Sequence, residues 1–327
     1  MTRARDLADA ADKDFSGTVT VDNITIGGNI SQDSGTVKLD GNYPTGSSNV
    51  ALGDAALDDG SLSGGYNTAI GDSALGENEG GTENVAVGYQ AVDANTSGQQ
   101  NVGIGSQSLS ANTSGSSNSA VGKNALKNNT TASNNTAVGK TALGANTTGA
   151  DNTAVGANCL DANTTASYNN AFGYNTLTAN TTGSFNAAFG HAVLQSNTTA
   201  NNNTGMGYLA LSGNTTGSEN IAIGNYTLDA NVDGANNTAV GYNALSSNTS
   251  ADFNVGIGRQ ALLSNTTGTL NVAVGTNALD ANTTANANVA VGYDALTANT
   301  TGRWSCHIKR KHYGKQQHSR WLHCYVR

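Results

Sequence analysis

Residues 288–302 read N-V-A-V-G-Y-D-A-L-T-A-N-T-T-G, and nearly the same text stands 17 residues earlier, and 17 before that. Gly292 closes a series formed by Gly71, Gly88, Gly105, Gly122, Gly139, Gly156, Gly173, Gly190, Gly207, Gly224, Gly241, Gly258 and Gly275, with Gly53 placed 18 residues ahead of Gly71. So strict a period denotes one structural unit stacked on itself. With each pacing glycine set to position 0, the consensus is N-[TV]-A-[VI]-G-Y-x-A-L-x-A-N-T-T-[GA]-x-x. Only the Val/Ile at −1 and the Leu at +4 are large and apolar in most units.

Seventeen residues are too few for a helical hairpin, and Asn, Thr and Gly are poor in helix interiors. N-T-A-V-G alternates as a short strand does, and A-N-T-T-G reads as a turn. The expected fold class is therefore all-β, a parallel β-solenoid of stacked coils spaced at about 4.8 Å. In such a stack the Asn at −4 and +7 form amide ladders, and the pacing glycine suits a tight bend or positive φ. A thin interior lined by Ala, Val and Leu is expected, too small to stabilise a coil without its neighbours.

The core N-x-A-[VI]-G-x-x-A, for example Asn237, Ala239, Val240, Gly241 and Ala244, resembles the head repeat of trimeric autotransporter adhesins of the YadA type. It recurs from Asn49 to Ala295. The resemblance implies a left-handed β-roll and a homotrimer. The unit here is longer than the family's usual one, which implies a longer turn through A-N-T-T-G. Similar Asn-, Thr- and Gly-rich repeats resemble those of bacteriophage tail fibres.

Three segments are expected: an N-terminal attachment or capping segment over 1–48, the repeat shaft over 49–302, and an aberrant tail over 303–327. In the first, Thr2–Asp14 reads as a short helix, and Thr18–Ile26 and Val37–Leu39 as strands. The opening resembles the leaders by which tail fibres attach to other virion tail proteins. No apolar h-region of a secretory signal is visible in the opening residues, which favours assembly in the host cytoplasm and a place in the virion over the bacterial cell surface.

The tail breaks the composition abruptly. It holds no acid, both tryptophans and four of the five histidines. Trp304 and Trp321 stand 17 residues apart, and the single tryptophan codon read one base later encodes glycine at both places. The same shift allows the repeat consensus across the tail, so the tail is read as frameshifted repeats. Cys306–His307 and His323–Cys324 match no standard zinc spacing.

All 23 acidic residues fall before the tail and the net charge is −8, which disfavours nucleic acid as a partner. No apolar run reaches membrane-spanning length, so no membrane insertion is expected. No catalytic constellation, metal site or cofactor site is visible. Aspartates recur at +5 (Asp58, Asp93, Asp161, Asp229, Asp280), irregularly spaced, as solvated turn residues would be. His191 reads as a tolerated substitution for Tyr, and Cys159 as a small thiol at the +3 alanine site. A capsule-cleaving fibre would need carboxylates in an insertion between coils, and the constant period leaves no room for one. The N-T-T triplets match the glycosylation sequon but read as the repeat turn.

The reading that follows is a structural, non-catalytic fibre protein: a phage tail-fibre shaft contributing to host attachment, with a host surface glycan as possible receptor. The alternatives are a bacterial trimeric adhesin head and an ice-binding solenoid. The last fits less well, because adjacent threonines on a strand point to opposite faces.

Overall fold

A computed structural model describes residues 48–303 and 305–308. The expected elements at Thr2–Asp14, Thr18–Ile26 and Val37–Leu39 lie outside the described residues, as does nearly all of the tail on which the frameshift reading rests.

The described chain is an all-β parallel solenoid with no helix. Sixteen three-residue strands, β1 (Val50–Leu52) to β16 (Cys306–Ile308), form one sheet in sequence order. Every pair is parallel, and from β2 (Thr68–Ile70) onward the register advances by the repeat, Thr136 facing Thr153 and Val138 facing Val155. The 18-residue first step is absorbed at 59–62. There Asp59 accepts the Ser61 backbone N–H at 2.7 Å, and Leu62 tucks inward at 3 % exposure. Past the expected end of the shaft the sheet continues for one strand. Cys306–Ile308 pairs in register with β15 (Val289–Val291), and the Ser305 N–H donates to Asn288 Oδ1 at 2.9 Å.

The core is three columns: Ala at −2, Ala at +3 and Leu at +4, as in Ala154, Cys159 and Leu160, all fully buried. The Val or Ile at −1, expected inside, points outwards instead. Val121 and Val138 are 37–38 % exposed while Ala120 and Ala137 beside them are at 0 %, and Ile104 is 40 % exposed. Strand alternation puts −3 and −1 on one face and −2 on the other. The narrow interior, already filled by Leu, accepts only the alanine side.

Four corners per coil have positive φ. The pacing glycine lies at +127 to +143°, and residues at −5, +2 and +4 lie near +50 to +62°, as at Asp151, Asn158 and Leu160. A leucine there is strained, since its Cβ crowds the backbone. The strain is offset by complete burial of its side chain and by the bond from its N–H to the next coil, Leu160 to Thr176 O at 3.0 Å. At the pacing glycine no side chain fits: a Cβ on Gly156 would strike the carbonyl of Gly173.

Two buried asparagine ladders complete the coil. From Asn95 to Asn282 each +7 side chain donates Nδ2–H to the Oδ1 of the previous coil, as Asn163 does to Asn146 at 2.9 Å, and also to its own coil's +10 carbonyl, Ala166 O at 3.0 Å. The −4 asparagines use Oδ1 to accept the backbone N–H of the next coil's Asn, Asn169 to Asn152 at 3.0 Å. Their Nδ2 reaches that same +10 carbonyl, Asn152 to Ala166 at 2.9 Å. Buried amides are thereby satisfied without water, which is the condition for placing them in a core. At the last coil Asn299 turns to Gly302 O, leaving Asn282 Oδ1 without a partner.

Candidate functional site

The outward strand face carries an apolar column along the described coil stack. Its −1 column runs Leu52, Ile70, Val87, Ile104, Val121, Val138 and onward to Ile308, and its −3 column is mostly Val and Thr with a few other residues. Phe172 and Phe189 stack within it at 5.0 Å between centroids. Single exposed apolar side chains need no explanation, whereas a contiguous column along the whole sheet marks an interaction surface.

A second feature lies just past the glycine. Tyr174, His191 and Tyr208 occupy +1 in three consecutive coils, with centroids 5.5 and 5.2 Å apart and rings inclined by 34° and 27°. Tyr226, at +2, stands at 76° to Tyr208, and Tyr242, back at +1, at 85° to Tyr226. Tyr174, Tyr208 and Tyr242 are 41–50 % exposed. The signal was present in the sequence as the 17-residue spacing of 174, 191 and 208. Tyr226 hid the continuation, since it stands one position out of step. His191 is thus one ring of an aromatic column.

The threonine pair divides its duties. Thr147 at +8 donates its hydroxyl to Thr164 O at 3.0 Å, while Thr148 at +9 is exposed. The asparagine of each N-T-T triplet from Asn129 to Asn282 is fully buried in the +7 ladder.

Of the aspartates at +5, Asp58 is exposed, as expected of a solvated turn, and the other four are not. Asp93, Asp161, Asp229 and Asp280 are half-buried, and desolvation raises each carboxyl above its ordinary value of 3.8. Glu77 and Asp72 add repulsion at Asp93. Asp229 Oδ1 and Asp280 Oδ1 have no hydrogen-bond partner. Asp161 and Asp229 stand four coils apart, so they form no carboxylate pair. Cys159 is buried at the +3 site, its Sγ 3.2 Å from Ala171 O, and burial pushes its thiol up to about 12. Such a thiol stays protonated and unreactive.

Among the described residues no three His, Cys, Asp or Glu side chains are grouped to hold a metal, and no helix is long and apolar enough to cross a membrane. No family model, curated protein or solved structure matches the chain.

Proposed function

We propose that the chain is a non-catalytic fibre segment, a phage tail-fibre shaft that assembles as a homotrimer and contributes to attachment at the host surface. The carrying observation is the outward strand face, apolar in nearly every coil and in register from Leu52 to Ile308. Three copies related by an axis along the coil stack would cover these faces against one another. The 17-residue register from Thr68 onward supports a mechanical role, because axial load passes through a series of near-identical hydrogen-bonded layers. Attachment of the N-terminal segment to other virion tail proteins and a glycan receptor on the host belong to the same reading.

Sedimentation equilibrium of the full chain tests it directly. A mass of three chains, independent of concentration in the micromolar range, is the expected result. A stable monomer would remove the fibre reading, because the outward face would then have to stay in water.

A further inference from the structure

We propose that the aromatic column from Tyr174 to Tyr242 is a binding site for an uncharged oligosaccharide lying along the coil stack. The inference rests on the host-attachment reading and supplies it with residues and a ligand class.

Three observations select that ligand. The first is the column's extent: it crosses five consecutive coils, so a ligand matching it is a linear polymer whose repeat resembles one coil step. The second is charge. No Lys or Arg occurs between Lys140 and Arg259, while Asp151, Asp161, Glu219, Asp229, Asp233 and Asp252 do. A polyanion such as nucleic acid or a sulfated glycan would find no cation there. The third is amphipathy. Tyrosine rings offer apolar surface and a polar hydroxyl together, and a sugar ring likewise joins apolar C–H faces to a hydroxyl rim.

The ring geometry changes midway along the column. From Tyr174 to Tyr208 the rings cover one another's faces and offer solvent their edges. At the next coil the +1 residue is Asn225, whose Oδ1 accepts the Tyr208 backbone N–H at 3.0 Å, so its side chain is folded back onto the backbone. Tyr208 and Tyr242 are thereby left two coil steps apart, about 9.6 Å along the axis. Tyr226 sits between them, nearly perpendicular to both and less exposed than either. Tyr226 also holds φ at +54°, where Asn stands in several other coils. A bulky aromatic in the left-handed region costs stability relative to Asn.

The test uses the full chain on an array of uncharged linear glucans, mannans and galactans, with heparin and polysialic acid as anionic probes. Titration calorimetry then follows with the hexasaccharide of the retained polymer. The expected result is retention on an uncharged polymer. The double variant Tyr208→Ala, Tyr242→Ala should lose about tenfold or more in affinity. Tyr226→Asn should weaken binding while leaving the melting temperature equal or higher, a split that a structural role would not produce. Tyr89→Ala and Tyr293→Ala, isolated tyrosines at the same coil position, should change nothing.

The proposal fails if only anionic polymers are retained, if nothing is retained, or if the control tyrosines matter as much as the column. It also fails if the variants alter self-association instead of glycan binding. Sedimentation and adsorption to bacterial cells separate this from the fibre reading. A trimer that adsorbs equally well without the column sinks the glycan site alone. Glycan binding by a monomer sinks the fibre reading alone.

Discussion

A glycine and an aspartate show how little latitude a stacked coil leaves its residues. Gly156 has φ of +136°, and any Cβ there would meet the Gly173 carbonyl of the next coil. Gly156→Ala should therefore destabilise its region by about 3 kcal/mol. Gly60, in the irregular first turn, has no heavy atom within 4 Å of a built Cβ, and Gly60→Ala should leave thermal unfolding unchanged. Equal effects in both variants would refute this account of the pacing residue.

Asp229 carries the opposite kind of burden. Burial raises its folded-state carboxyl pKa above 3.8, so the folded chain binds its proton more readily than the unfolded chain does. The cost is therefore present at neutral pH and is relieved as pH falls through the raised folded value towards 3.8. Asp229→Asn should raise the melting temperature at pH 7 and reduce the gain on acidification. Melting curves between pH 7 and 4 check both signs, and a variant that melts earlier at pH 7 would contradict them.

At the scale of the coil, the asparagine ladders act as a continuous element more than as separate bonds. Asn163 accepts from Asn180 at 3.0 Å and donates to Asn146 and Ala166. Asn163→Ala leaves a buried amide donor and a buried amide acceptor unpaired, at about 2 kcal/mol or more. Amide hydrogen exchange should quicken in the adjoining coils and stay slow several coils away, since each coil contacts only its neighbours. Uniform loss of protection would instead mean that the described region unfolds as one cooperative unit.

This element was largely legible in the sequence, because Asn at −4 and +7 recurs without change and stacking converts recurrence into ladders. The direction of the −1 side chains was not. A three-residue strand reveals that −3 and −1 share a face, but not which face is interior, and the size of Val138 argued for the wrong one. The answer depends on Leu143 and its equivalents, whose positive φ turns them into the space that the valines would have used. Residue type alone gives no hint that a leucine holds such a corner. The +5 aspartates were misjudged for a related reason: a turn in a solenoid is roofed and floored by the turns above and below.

For the whole described molecule, the proposed trimer would close on the outward strand face. Ile104 and Val138 are about 40 % exposed, and neither supports the core. The double variant Ile104→Asp, Val138→Asp should barely alter the circular dichroism spectrum or the melting of an isolated chain. It should also abolish the proposed trimer, because each interface would bury unpaired carboxylates. Sedimentation velocity of the variant beside the parent decides the matter. An unchanged trimer would place the interface elsewhere on the coil stack.

The two ladders also have a sense of direction. In both, the C-terminal coil supplies the N–H and the N-terminal coil the waiting Oδ1, as Asn169 does to Asn152 and Asn163 to Asn146. A ribosome delivers the chain in that same order. Each finished coil leaves an edge of unfilled oxygen acceptors, and the next coil to emerge carries the matching donors at the same two places. In these two ladders, a chain that adds coils from its N-terminal end would offer each new coil acceptors already in place.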